Sequence, residues 1–152
     1  MKVSGSNRIE IAAAHEHCRV VLLDFDAYAD WFPGVRESQA VAVGDESAGR
    51  LVFSAGVDVI PEVPCTLRYD LSVAGRLTPV VIEGSLRIGG PGWHLEAIEA
   101  ERTVVSYTVE VEMAVPGGFL AERALSGHAR RYLIEQPAEK LREHVERRTA
   151  LG

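Results

Sequence analysis

From Arg50 to Met113 the chain alternates apolar and polar residues with a period of two, and that pattern leaves few folds open to it. Leu51, Phe53, Ala55, Val57 and Val59 share one parity, against Arg50, Ser54 and Asp58 on the other. Val63, Cys65, Leu67, Tyr69, Leu71 and Val73 do the same against Thr66, Arg68, Asp70 and Ser72. Val80, Ile82, Leu86 and Ile88 oppose Glu83, Ser85 and Arg87, and Val105, Tyr107, Val109, Val111 and Met113 oppose Ser106, Thr108, Glu110 and Glu112. Alternation this regular predicts antiparallel strands with one dry face and one wet face. Gly44-Asp45, Ala74-Gly75, Gly89-Gly90-Pro91-Gly92 and Glu101-Arg102 fall at hairpin spacing and are expected to be the turns.

A dry face needs a cover, and the candidate is the segment from Phe119 to Arg148. Leu120, Ala124, Ile134, Ala138, Leu141 and Val145 recur at spacings of three, four or their multiples, as on one face of a helix. Pro137 lacks an N–H and crowds the preceding turn, so a kink or break is expected near Glu135-Gln136. Ahead of the sheet, Arg8 to Ala12 reads as a first strand, with Ile9 and Ile11 on one face. Cys18, Val21, Leu22 and Phe25 then make the stripe of a short helix. Asp26 is placed to cap a second helical turn through Tyr28 and Trp31, which Pro33-Gly34 ends. The order predicts an α+β helix-grip fold: a curved antiparallel β-sheet of about seven strands wrapped around a long C-terminal α-helix, with two short helices after the first strand.

The segment Asp24-Phe25-Asp26-Ala27-Tyr28-Ala29-Asp30-Trp31-Phe32-Pro33-Gly34-Val35 spends Tyr28, Trp31 and Phe32 on a connection, where polar residues are the rule. These rings must roof something apolar or be buried by it. Read as Asp-Phe, then Tyr, then Trp-x-Pro-x-Val, the segment resembles the SRPBCC (START/Bet v 1-like) superfamily, in particular its polyketide cyclase/dehydrase and lipid-transport branch. The resemblance extends over essentially the whole chain, including Pro116-Gly117-Gly118-Phe119-Leu120 leading into the terminal helix. It implies the same helix-grip fold around an apolar cavity, and one such domain over residues 1–152.

Composition narrows the partners. With 47% apolar residues the chain has material for a sizeable core. A formal charge of −6, from 16 basic and 22 acidic residues, repels phosphate backbones and anionic lipid surfaces, so nucleic acid is not an expected partner. No apolar run is long enough to span a bilayer. The N-terminal MKVSGSNRIEIAAA lacks the apolar core of a signal peptide, which makes the cytoplasm the expected location. Cys18 and Cys65 have no CxxC spacing and read as reduced packing residues.

The chemistry of the inward face is sparse. By parity, Phe53, Ala55, Val57, Cys65, Leu67, Tyr69, Leu71, Ile82, Leu86, Trp93, Leu95, Tyr107, Val109 and Val111 line the interior, and none is charged. Of these, Phe53, Ala55, Val57, Cys65, Leu67, Tyr69, Leu86, Trp93, Leu95, Tyr107 and Val109, with Tyr28, Trp31, Phe32 and His128, make up the expected ligand-binding set. The cavity mouth is expected beside Tyr28, Trp31 and Phe32 on one side and along Phe119 to His128 on the other. General acid–base catalysis needs a titratable group at the reacting atom, and the candidates reduce to Tyr69, Tyr107, His128, Arg131 and Glu99, the last read as a rim carboxylate. Arg68 points outward unless a bulge turns it.

His15 and His17 are two apart on a helix and do not face each other, so no metal site is expected. His94 alternates outward, and His144 reads as solvated on a mixed-charge helix face. Gly89-Gly90-Pro91-Gly92 joins strands rather than opening a helix, so it does not read as a phosphate loop, and no cofactor is expected. Two functions follow from different classes. The first is a carrier or transfer protein for a hydrophobic small molecule of polyketide, quinone, fatty acyl or isoprenoid type. The second, implied by the resemblance, is an aromatase/cyclase or dehydrase acting on a poly-β-keto substrate bound to a carrier protein.

Overall fold

Strand β1 (Lys2–Ile11) pairs antiparallel with the last strand, β7 (Arg102–Glu112), so the chain must cross the sheet to reach its other edge. The crossing is made by α1 (His15–Leu23), a 3-10 turn (Phe25–Ala27) and α2 (Tyr28–Trp31). From there β2 (Val35–Val43), β3 (Glu46–Phe53), β4 (Val63–Asp70), β5 (Arg76–Gly84), β6 (Arg87–Glu99) and β7 meander back, giving the order β1-β7-β6-β5-β4-β3-β2. Gly118 to Leu151 then form one 34-residue helical rod, α3 (Gly118–Arg130), a π turn (Arg131–Glu135) and α4 (Gln136–Leu151). This computed structural model describes residues 1–54, 62–115 and 117–151. Ala55, Val57, Val59 and Pro116 of the sequence reading lie outside the described residues.

Dry parity holds where it is simplest. Leu51 and Phe53, Cys65 and Leu67, and Val105, Tyr107, Val109 and Val111 are all buried. It fails in β5. Thr66 pairs with Glu83 but Leu67 pairs with Val81, so Ile82 is an extra residue in the ladder. The bulge swaps faces: Leu77 and Pro79 are inside, whereas Ile82 is 39% exposed. Leu71 and Val73 fail for another reason. β4 ends at Asp70, and both residues lie in the exposed connection that follows.

Gly89-Gly90-Pro91-Gly92 is not a turn either. It is a bulge inside β6, where the register against β7 jumps from Gly89 to Gly92, and the hairpin turn falls earlier, at Ser85-Leu86. At Gly92, φ is +78° and a Cβ would run into the Leu77 carbonyl and the Pro79 ring. Glycine is therefore what lets β5 and β6 meet at this bend. Accumulated bulges curve the sheet and turn its dry face concave.

The terminal helix covers less of that face than expected. α4 packs on β1, β7, α1 and α2 through Ala138, Leu141 and Val145, while the sheet contact of α3 is with β1. Leu120 and Ala124, expected on the buried stripe, are exposed, as is Phe119. The rod changes its hydrogen-bonding at Glu135-Gln136, where a kink or break is expected from Pro137: the π turn ends there and α4 begins. Pro137 sits in the first turn of α4, where a missing N–H costs little, and the wider π turn before it absorbs the mismatch. Asn7 Nδ2 donates to the Glu135 carbonyl at 2.7 Å and Arg130 Nη2 to the Ser4 carbonyl at 2.6 Å, tying this turn to β1. No helix among the described residues is long and apolar enough to cross a membrane.

The rest of the concave face is roofed by the crossing segment. Phe25, 3% exposed, lies flat on Gly49 of β3, where a Cβ would enter the ring. Gly49→Ala is expected to destabilise the protein by about 1–3 kcal/mol, through this overpacking. Urea denaturation checks it. In the Gly49→Ala background, Phe25→Leu should cost less than it does alone, and additive costs would show that the ring does not rest on Gly49.

Candidate functional site

The aromatic segment is held from the side, by the edge of β2. Asp26 makes no helix cap. Its Oδ1 instead accepts the Ala40 N–H at 2.7 Å, its carbonyl accepts the Ser38 hydroxyl at 2.9 Å, and the Ser38 Oγ accepts the Ala29 N–H at 2.9 Å. Anchored there, the segment turns its rings inward. Tyr28, Trp31 and Phe32 are buried roof residues rather than the rim of a mouth. Phe32 meets Phe53 and Tyr107 edge-on at 6.1 and 6.5 Å, Trp93 stacks on Tyr107 at 4.1 Å, and Phe25 stacks on Tyr69 at 5.7 Å.

Polar atoms are threaded through this apolar layer. Tyr28 donates its hydroxyl proton to the Leu22 carbonyl at 2.5 Å, and its oxygen lies 2.9 Å from that of Tyr69. A phenol has one proton, so Tyr69 is the donor in the second bond. Burial, with the Tyr69 hydroxyl nearby, holds the Tyr28 and Tyr107 phenols well above their usual range, and burial pushes Tyr69 up to about 12. All three are neutral donors at physiological pH. Cys18 and Cys65 are buried, unbridged thiols pushed up to about 11 by desolvation.

Three buried polar atoms find no hydrogen-bond partner among the described residues: the indole N–H groups of Trp31 and Trp93, and Nε2 of His144. The Trp93 N–H leans toward the Tyr69 hydroxyl, favouring its anion, without forming a bond of good geometry. Leaving such a group unpaired costs about 1–3 kcal/mol.

A cleft of about 470 Å³ opens onto the same layer, lined by Leu23, Phe25, Glu46, Ser47, Arg68, Tyr69 and Leu71. Its size falls in the range of small-molecule sites, roughly 300–1,000 Å³. Arg68 stays on the opposite face of β4 from Leu67, but near the strand's end it reaches the rim, where Nε pairs with Glu46 at 3.2 Å. A groove of about 280 Å³ between α1 and α4, lined by His17, Val20, Val145 and Arg148, and one of about 540 Å³ beside it, lined by Ala13, His17, Glu101 and Glu146, contain none of the aromatic-layer residues.

Of the residues singled out from sequence, Phe53, Cys65, Leu67, Leu86, Trp93, Leu95, Tyr107 and Val109 are buried, and Tyr69 is half-buried at the cleft. Glu99 is exposed at the end of β6 and pairs with Arg102 at 3.1 Å, and Arg131 is exposed on the π turn, so neither joins the site. His128 is half-buried with its ring 4.6 Å from Tyr132, on the part of the rod that reaches β1. His15 and His17 do not converge with other ligands, and no cluster of three or more metal-ligating side chains occurs among the described residues.

His144 is the correction that matters. It is not solvated: its ring stacks near Trp31 at 6.3 Å and its Nε2 is enclosed. Helical spacing held the signal, because Leu141 and Val145 flank the same face, but the surrounding charges masked it.

A curved seven-stranded sheet gripping a C-terminal helix is the helix-grip class. Residues 2–146 match the family described as polyketide cyclase / dehydrase and lipid transport, and the chain belongs to that family, within the SRPBCC superfamily. Solved structures share the fold. The Zhui aromatase/cyclase from a Streptomyces species is 21% identical, with TM-score 0.72 over 98% of this chain and 96% of that one. A STAR-related lipid transfer protein from Xanthomonas axonopodis is 22% identical, with TM-score 0.66 over 93% and 84%. A START superfamily protein from Mycobacterium smegmatis is 18% identical, with TM-score 0.68 over 95% and 97%. No curated protein matches the chain significantly.

Desolvation first, then the Arg148 and Arg147 charges, hold the His144 imidazole below its ordinary 6.5, against the opposing pull of Asp30 and Asp24. The unfolded chain therefore binds this proton more readily than the folded one. Stability should fall as pH drops through 6.5 toward the folded value. Thermal denaturation followed from pH 7.5 to 5.5, about a unit either side, should show that decline. His144→Gln should flatten it, and an unchanged slope would place the linkage elsewhere.

Proposed function

We propose that the protein binds a neutral hydrophobic small molecule, of polyketide, quinone, fatty acyl or isoprenoid type, between the concave sheet and its helical cover, as a carrier or transfer protein. One observation carries the reading: among the described residues the buried interior has no charged side chain, its single polar residue is Thr103, and an open cleft meets its aromatic layer at Tyr69. Thr103 is spent on the Ala13 carbonyl at 2.8 Å. The interior therefore offers a ligand dispersion contacts and aromatic faces, with phenol and indole donors. Membership of a family that spans cyclases and lipid transport supports the ligand class.

The ligand-binding residues in this reading are Tyr28, Trp31, Phe32, Phe53, Cys65, Leu67, Tyr69, Leu86, Trp93, Leu95, Tyr107 and Val109. The mouth is the cleft beside Leu23, Phe25 and Leu71 rather than the Phe119–His128 stretch. The enzymatic alternative, a cyclase or dehydrase acting on a carrier-bound chain, is less favoured. Glu99 and Arg131 stand outside the site, and Tyr69 and Tyr107 hold their protons too tightly to act as bases near neutral pH. With its acidic balance the protein does not suit nucleic acid, and we place it in the cytoplasm.

Leu71 is 40% exposed on the cleft wall, so charging it should spare the fold. Leu71→Arg is expected to weaken binding of a neutral apolar dye such as Nile red by about tenfold or more, because its side chain no longer gives up water favourably. Val109→Arg, at the centre of the sheet face, should abolish it. Dye titration of folded protein checks both. Affinity unchanged by Leu71→Arg would remove the cleft from the reading, and no binding of neutral dyes or of quinones would remove the function.

A further inference from the structure

The first half of the terminal rod spends little of its surface on the core. Ala129 is the one buried residue of α3, and the sheet contact of this helix is with β1. Leu120, Arg123, Ala124, Gly127 and Arg131 fall at i, i+3, i+4, i+7 and i+11, so they share a face, and all five are exposed. Phe119, beside Leu120 in the first turn, is 73% exposed and Leu120 is 77% exposed. Single exposed apolar side chains are ordinary. Two large ones side by side at the tip of a cationic helix face are not.

The charge on this face runs against that of the whole chain. Between Gly117 and Ile134 the single carboxylate is Glu122, which the N-terminal ammonium of Met1 holds at 2.9 Å. Arg123, Arg130 and Arg131 pair with no carboxylate among the described residues, and Arg130 is steadied by the Ser4 carbonyl instead. A shallow groove of about 270 Å³, lined by Lys2, Ser4, Ser126 and Arg130, runs along the β1 side of the helix.

We propose that this face of α3 is a docking site for an anionic membrane surface, with Phe119 and Leu120 entering the boundary between headgroups and acyl chains and Arg123, Arg130 and Arg131 resting on lipid phosphates. An interfacial helix needs large apolar side chains on one part and basic ones around them, and each basic residue held near anionic lipid strengthens attachment. A stable protein interface asks for more: about 800 Å² on each partner, with charge kept from its centre. Here the apolar part is two side chains at one end, Ala124 and Gly127 leave the middle low, and arginines are interspersed. Pairing two copies through this face would also set like charges against each other. The net charge of −6 opposes approach by any other side. Over a screening length of about 8 Å at physiological salt, the arginines at the contact act and carboxylates across the molecule do not.

The test is co-sedimentation of the full chain with sucrose-loaded vesicles. Equimolar POPC and POPG vesicles should carry the protein down at low salt and release it at high salt, whereas pure POPC vesicles should leave it in solution. Arg123→Gln with Arg131→Gln should weaken binding about tenfold or more, and Phe119→Ser with Leu120→Ser should do the same. All four side chains are exposed, so circular dichroism and thermal melting should not change. Val73→Ser, at an exposed valine outside this face, should bind as the parent does. Phe119→Trp adds an indole at the tip, and its emission should shift to the blue with POPG vesicles, against the constant signal of the buried Trp31 and Trp93. No sedimentation with POPG vesicles, equal sedimentation with POPC, or binding that survives both double replacements would overturn the docking site. A dimer in solution that Phe119→Ser with Leu120→Ser disperses would assign the face to a second copy and overturn it too.

Discussion

A single helix cannot cover a seven-stranded sheet. Strands lie about 4.8 Å apart and a helix is about 10–12 Å wide, so α4 shields little more than the two strands it touches, β1 and β7. The sheet spans roughly 29 Å by the same spacing, and its remaining dry face must curl onto itself or find a second cover. This chain does both. Bulges at Ile82 and within Gly89–Gly92 curve the ladder, and the crossing segment supplies Phe25, Tyr28, Trp31 and Phe32 as the second cover. Everything about the interior follows from that division, because a roof of aromatic rings brings phenol and indole donors into a place that aliphatic residues would have left purely apolar.

Holding such a roof on a sheet edge takes more than apolar contact. Asp26 accepts the Ala40 N–H that the edge strand β2 would otherwise expose, while the Ser38 hydroxyl donates to the Asp26 carbonyl and its Oγ accepts the Ala29 N–H of α2. The same bonds therefore position the rings and blunt the edge. Gly49 completes the fit from below by letting the Phe25 ring lie against the β3 backbone. The Phe25–Tyr69 stack then closes the cleft's inner end, so the segment that covers the core is also the one that a ligand would meet first.

The strands could be read from sequence because burial on one face leaves a parity signal that survives without tertiary information. Leu51, Phe53, Cys65, Leu67, Tyr107 and Val109 are where alternation puts them. A bulge erases that signal at no visible cost in composition, and Ile82 looks like an inward residue until its partner strand shows it to be supernumerary. The four-residue glycine and proline stretch misleads in the same way, since a sharp bend within a strand asks for the same residues as a turn between strands. The burial of the rings was legible and the exposure of Leu71 was not: whether Tyr28 or Leu71 meets solvent depends on how far β4 extends and on which side of β2 the segment is tied. His144 was misplaced because its neighbours Glu143, Glu146, Arg147 and Arg148 dominate the local pattern, although its spacing from Leu141 matches the buried stripe.

The uncharged interior also limits what chemistry the fold can do on its own. Stabilising a developing charge in a dry site requires donors aimed at it in advance, and the polar groups of the aromatic layer are instead engaged with one another, Tyr69 with Tyr28 and Tyr28 with the Leu22 carbonyl. Accepting a proton requires a base with a pKa near the working pH, and the groups at this site are phenols raised by burial and an indole that does not titrate in that range. His144 is held below its ordinary value by desolvation and by Arg148 and Arg147, and it stands against Trp31 on the α4 side rather than lining the cleft. Among the described residues the titratable side chains of the aromatic layer are neutral phenols, so what that layer presents is apolar surface and O–H donors.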